Sequence, residues 1–294
     1  MQNNFIQFKK QRDFGSIISD TFQFIRLEYK TIFNLYLKHV GWMLLILVAA
    51  GTYYQYASLN TLDTISMSDG LDEYLIETLL SSGLSLLILV LASVAYSALS
   101  VVTINGIIKS YVSNQGEIKD EEVKQTISRF FGSILGSTVI VGIIVFIGFI
   151  LCILPGVYLF VPLSLIFSVI VFQEKSFSEA FSECFKLIKQ NWWITFATIL
   201  VITILIALVS GIFQIPVTIL TVMETMTSIQ ENGAESGIPS LGKNWLYIVF
   251  YVIALIAQYI LSLVSIITLV FIYFNLNEIH NKTGTIEDID NIGQ

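Results

Sequence analysis

Histidine occurs only at His39 and His280 and cysteine only at Cys152 and Cys184, and no acidic or sulfur partner stands at ligand spacing from either histidine. That excludes a structural zinc centre, which needs four such ligands. The two cysteines are expected far apart, Cys152 near the outer end of an apolar run and Cys184 in a cytoplasmic segment, so no disulfide framework is expected. Charge is scarce as well: Asp, Glu, Lys and Arg make up 13% of the 294 residues, against ~25% in ordinary soluble domains. No charged residue lies centrally in a long apolar run, unlike the usual intramembrane proton or ion relay. There is no glycine-rich phosphate loop, nucleophile elbow or paired intramembrane carboxylate. The chain is therefore expected to be no enzyme and to carry no cofactor. A net charge of -7 argues against nucleic acid as a partner.

What the chain has in quantity is apolar length. A spanning helix needs ~20 mostly apolar residues, because the hydrocarbon core is ~30 Å thick. Six runs meet that need: Val40–Leu59, Gly83–Ile108, Phe131–Ile153, Val157–Phe172, Ile194–Ile215 and Trp245–Phe274. Lipid offers the backbone no hydrogen-bond partner, and barrel-like alternation is absent, so these runs are expected to be helices. The expected fold is all-α: a polytopic membrane protein with six transmembrane helices, residues 1–282 forming one integral membrane domain and 283–294 an acidic cytoplasmic tail.

Cations set the orientation. Lys9, Lys10, Arg12, Arg26, Lys30 and Lys38 precede the first run; Lys109, Lys119, Lys124 and Arg129 follow the second. Lys175, Lys186 and Lys189 follow the fourth, and Lys282 the last, which leaves only Lys243 on the opposite face. The Thr61–Glu77 connection has acids and no cation. Both termini are thus expected on the cytoplasmic side. Residues 1–38 lack a small-residue cleavage site, so the first run is expected to remain a span. The Glu224–Lys243 segment, with Asn232-Gly233 and Pro239, reads as a flexible external connection.

A unit of one amphipathic segment and two spans recurs. Phe14, Ile17, Ile18, Thr21, Phe22, Ile25 and Tyr29 fall at helical spacing, and Phe177, Ala180, Phe181, Cys184, Phe185, Ile188 and Trp192 repeat the same offsets. Asp13 can cap the first segment, and Ser176 with Glu179 forms a capping box for the second. A third such segment, Asp120–Phe131, carries Val123, Ile127 and Phe130 on one face. Phe14, Ile18, Phe22, Ile25, Phe181 and Phe185 are the expected interfacial lipid contacts on cytoplasmic amphipathic helices.

Leu154-Pro155-Gly156 divides the stretch Phe131–Phe172, with proline ending a helix and glycine permitting a reversal. A re-entrant hairpin fits the charges equally, and length favours two spans. Pro162 is expected to kink the fourth. Gly132, Gly136, Ser133 and Ser137 form a small face suited to close helix packing.

Gln258 lies 13 residues after Trp245, ~20 Å below the interface at ~1.5 Å per residue. An unpaired amide there costs ~2–7 kcal/mol, so Gln258 is expected to face the bundle and find a partner. Asn105 and Asn275 are expected to make a second polar contact near the cytoplasmic ends of their spans.

Leu154-Pro155-Gly156, a span, Glu179-Ala180 and an amphipathic helix ending in Trp192-Trp193 resemble the membrane domain beside some bacterial glycerophosphodiester phosphodiesterases and related stand-alone six-helix membrane proteins. The likeness covers Phe131–Ile215, with Cys184 where that family often has serine. It implies the six-helix fold and carries no catalytic residue; the phosphodiesterase barrel would need ~250 further residues. The expected function is a non-enzymatic membrane module engaging lipid, a membrane-protein partner or a second copy of itself. The alternative is a transporter or permease subunit for an amphipathic small molecule.

Overall fold

The computed structural model describes residues 5–67, 73–232, 244–282 and 284. All regular structure among them is helical: α1 (Phe14–Met67), α2 (Glu73–Ser113), α3 (Asp120–Leu151), α4 (Ile153–Leu163), α5 (Ile166–Gln173), α6 (Phe177–Ile188), α7 (Trp192–Asn232) and α8 (Trp245–Asn281). Six segments are long and apolar enough to cross a membrane, with α4 and α5 counting together as Ile153–Gln173. The protein is a polytopic helical membrane protein.

Several helices outrun their apolar runs. α1 has 54 residues, about 80 Å at ~1.5 Å per residue, against a hydrocarbon core of ~30 Å. Phe14–Tyr29 and the first span therefore lie in one unbroken helix, as do Asp120–Phe131 and the third span, whereas Phe177–Ile188 is a helix separate from the span that follows it. The Thr61–Glu77 connection is helical to Met67 and again from Glu73, and Glu224–Lys243 is helical to Asn232. Residues 68–72 and 233–243, and the tail apart from Gly284, lie outside the described residues.

The chain forms two compact units. The first comprises 1–41, 97–205 and 262–294; the second comprises 42–96 and 206–261. In the first, Phe8, Phe24, Tyr111 and Phe271 are almost completely buried. Phe8 stacks on Phe271 at 4.3 Å between ring centres and meets Phe24 edge-on at 5.2 Å. Tyr36 and Ser100 share a buried hydroxyl hydrogen bond of 2.8 Å. In the second unit, Leu59, Val217, Tyr247 and Ala254 form a buried cluster. Gln55 Nε2 donates to the Tyr247 hydroxyl at 3.0 Å, and the Tyr96 hydroxyl donates to the Tyr259 carbonyl at 3.4 Å.

The α3–α4 reversal is displaced from its expected place. It falls at Cys152, whose extended backbone (φ -172°) ends α3 and begins α4. Leu154-Pro155-Gly156 instead occupies the first turn of α4, where the missing proline N–H needs no partner. Glycine serves the close approach of the two arms: a Cβ on Gly148 would sit 3.1 Å from the Gly156 Cα. Pro162 does more than kink its helix. The chain tightens to a three-residue hydrogen bond, Leu165 N–H to Pro162 O at 3.1 Å, and the helix breaks into α4 and α5. The Gly132 and Gly136 face stands open, with nothing within 4 Å of either position's Cβ, so it packs against no described residue.

Candidate functional site: a cation-lined cavity

The site begins with a segment that periodicity does not reveal. Asp13 caps α1 by accepting the Ser16 N–H at 2.9 Å, and hydrogen bonding from the Ser16 side chain, together with that N–H, holds its carboxyl below the usual range. Ahead of that cap, residues 5–12 pack into the first unit. Ile6 N–H donates to the Tyr111 hydroxyl at 3.0 Å, and Arg12 N–H donates to Asn275 Oδ1 at 2.7 Å. The Arg12 side chain is 1% exposed. Its guanidinium donates to the carbonyls of Phe8 (2.8 Å), Lys10 (3.1 Å) and Gln7, and to the Asp20 carboxylate at 2.8 Å. It also lies 5.0 Å over the Phe271 ring. A planar five-donor fork suits this task, where an ammonium would leave carbonyls unmet. In the same unit, Glu278 is 2% exposed and accepts the Gly284 N–H at 2.7 Å.

A second anchor closes α5. Glu174 adopts a left-handed conformation (φ 53°) just after the helix. Its carboxylate meets Lys109 of α2 at 2.9 Å and Arg129 of α3 at 2.6 Å, while Lys109 also donates to the Val171 carbonyl at 3.1 Å. The Lys109 hydrogen bond, aided by the charge of both cations, holds the Glu174 carboxyl below its ordinary 4.5. A depressed folded value means that the pair stabilises fully above 4.5 and that this contribution fades as pH falls through the folded value. Thermal stability of the wild type should therefore drop on acidification through that window, and Glu174→Gln should flatten the drop while lowering stability at pH 7. The carboxylate is 41% exposed, so high salt should shrink the difference.

Between these anchors lies a cavity of about 440 Å³. Lys9, Lys109, Ser113, Gln173, Asn277 and Asn281 supply its polar wall, and Phe172, Tyr273, Phe274 and Val112 its apolar one. The amides are chained: Asn281 Nδ2 donates to Asn277 Oδ1 at 2.8 Å, with Gln173 Nε2 at 3.5 Å from the same oxygen. Phe172 stacks on Tyr273 at 5.4 Å. A second cavity of about 370 Å³ shares Lys109 and Ser113 and adds Glu122, Arg129 and Glu174. Among the described residues no three His, Cys, Asp or Glu side chains group as a metal site.

The structure treats the sequence-selected residues unevenly. On α1, Phe14 and Phe22 are exposed and Ile18 and Ile25 half-buried, beside the buried Ile17, Thr21 and Phe24. On α6, Phe181 and Phe185 are half-buried beside the buried Ala180, Cys184 and Leu187. Phe177, Phe181 and Phe185 form a ladder with ring centres 6.2 and 5.1 Å apart. Burial pushes the Cys184 thiol up to about 12, so it stays protonated at neutral pH.

The three polar contacts need correction. Asn105 and Asn275 are both buried but do not bond to each other: Asn105 donates to its own helix at Val101 O (2.8 Å), and Asn275 serves the N-terminal segment. Gln258 is exposed, and no described residue gives it a hydrogen bond. It lies at helical spacing from Tyr247, Tyr251 and Ala254 on α8. Gln214 of α7, missed at the sequence level, is half-buried and lies one turn from Val217, which shares a buried cluster with Ala254, one turn from Gln258.

No protein-family model, no curated protein and no solved structure matches this chain.

Proposed function

We propose that the chain is a non-enzymatic membrane module that engages lipid, seated in a bacterial inner membrane with both termini cytoplasmic. The supporting observation is the edge ladder of α6. Ala180, Cys184 and Leu187 face the protein, Ser178, Ser182 and Lys186 face away, and Phe177, Phe181 and Phe185 fill the boundary. That is the arrangement of a helix lying in an interface, with aromatic rings entering lipid beside a protein-docked stripe. Lys175 and Lys189 flank it, and Lys186 stands on its outward face, where anionic head groups would lie. The start of α1 buries Ile17, Thr21 and Phe24 at the offsets of Ala180, Cys184 and Leu187, which supports a duplicated unit. The resemblance to phosphodiesterase-associated membrane domains fits a module that serves an activity located elsewhere.

Hydrogen exchange of the full chain in lipid nanodiscs tests this. Burying half a phenylalanine is worth ~1–2 kcal/mol, so Phe181→Glu should speed exchange across Phe177–Ile188 about tenfold and leave α2 unchanged. Unchanged α6 exchange would mean that the helix docks on protein alone and would overturn the reading.

A second reading, a transporter subunit for an amphipathic small molecule, is favoured by Gln214 and Gln258. Two amides within apolar spans, each one turn from a member of the same buried cluster and without a side-chain partner among the described residues, are what a polar substrate path would use.

A further inference from the structure

We propose that a third cavity, between α1 and the turn that closes α2, binds a soluble polyamine: an organic cation with two or more ammonium groups. Its volume of about 480 Å³ falls within the ~300–1,000 Å³ of small-molecule sites. Glu28 of α1 and Glu117, just after the turn, supply its charge, and Phe5 and Tyr111 its aromatic wall. No lysine or arginine lines it.

Neither carboxylate has an ion-pair or hydrogen-bond partner among the described residues. Glu28 is half-buried, which is uncommon for a glutamate without a cation. The residues three and four positions from it on α1 are Phe24, Ile25, Thr31 and Ile32, so its own helix brings it no cation. Lys119, the cation nearest Glu117 in the chain, donates instead to Asn114 Oδ1 at 2.9 Å.

The aromatic wall is set before any ligand arrives, which lowers the ordering cost of binding. Phe5 stacks on Tyr111 at 5.3 Å between ring centres. Tyr111 is buried, accepts the Ile6 N–H at 3.0 Å and meets Phe8 and Phe24 edge-on. Gly116 (φ 109°) donates its N–H to the Tyr111 carbonyl at 2.9 Å. A Cβ there would stand 3.4 Å from the Phe5 ring, so glycine lets the turn close on it.

This pairing of groups selects the ligand. An ammonium is attracted both by a carboxylate and by the face of an aromatic ring. A divalent metal ion is served less well: it takes six or more oxygens, and no three His, Cys, Asp or Glu side chains group among the described residues. A lipid amine carries a phosphate close to its ammonium, where the other carboxylate would repel it. A second ammonium in that place would be attracted instead, so the ligand is a soluble polyamine and not a head group.

The test uses the full chain in phosphatidylcholine nanodiscs, whose lipid has no net charge, titrated calorimetrically with spermidine at physiological ionic strength. The wild type should bind it saturably. Glu28→Gln and Glu117→Gln should each weaken binding about tenfold, the usual effect of losing one charged hydrogen bond. Phe5→Leu should weaken it about threefold, the size of an exposed cation–π contact. Glu73→Gln, at the other end of α2 and outside the cavity, should leave it intact. Either carboxylate variant suffices, provided that it keeps the wild-type elution profile. Magnesium at equal charge concentration should not displace the spermidine. Displacement by magnesium, or equal loss in Glu73→Gln, would mean counter-ion binding at surface charge only and would overturn the site. So would a wild type that binds no spermidine, or unchanged affinity in both carboxylate variants.

Discussion

Arg12→Ala should destabilise the protein more than any other single surface-distant cation change, by about 3–5 kcal/mol, the range for removing one partner of a buried charged network. The loss would strand the Phe8, Lys10 and Gln7 carbonyls and the Asp20 carboxylate together, and uncover the Phe271 ring. Arg12→Lys should recover only part, since an ammonium keeps the charge and loses the fork. Lys10→Ala, at an exposed side chain two residues away, should be nearly silent. Fluorescence-detected size exclusion after heating reads all three. A neutral Arg12→Ala would mean that residues 5–12 are not part of the folded unit.

Gln258→Leu should move stability the other way. An amide without a partner in an apolar span costs ~2–7 kcal/mol, and Gln258 has none among the described residues. Leucine removes that cost, so the thermal midpoint should rise, and Gln214→Leu should add to it. If instead a substrate or ordered water uses the two amides, Gln258→Leu loses ligand retention and gains nothing. A rise supports the lipid module; lost retention without a rise supports the transport reading.

The long apolar runs make the helical membrane class legible, because ~20 apolar residues per span is a constraint no soluble fold imposes. The offsets Ile17–Thr21 and Ala180–Cys184 likewise mark the buried stripes from spacing alone. The N-terminal segment escapes because it has no period: Phe5, Ile6 and Phe8 sit among polar residues, and their partners Tyr111 and Phe271 lie more than a hundred residues away. In the sequence Lys9 and Lys109 mark only sidedness, since a cavity wall assembled from α2, α5, α8 and residue 9 leaves no local spacing. The pairing expected of Gln258 rests on its depth alone, and depth does not say whether neighbouring helices close over a side chain. The misplaced α3–α4 reversal has a plainer cause. Proline is as welcome in a helix's first turn as in the turn before it, so the dipeptide marks a boundary only to within a few residues.

Spin-label accessibility along α6 tests the lipid-engaging account most directly. With Cys152 and Cys184 replaced by serine, single nitroxides at positions 177, 178, 181, 182, 185 and 186 are scanned in nanodiscs against oxygen and a water-soluble nickel chelate. The account predicts high oxygen and low nickel accessibility at 177, 181 and 185, and the reverse at 178, 182 and 186. Nickel accessibility that is high at all six positions would place α6 in water and contradict it.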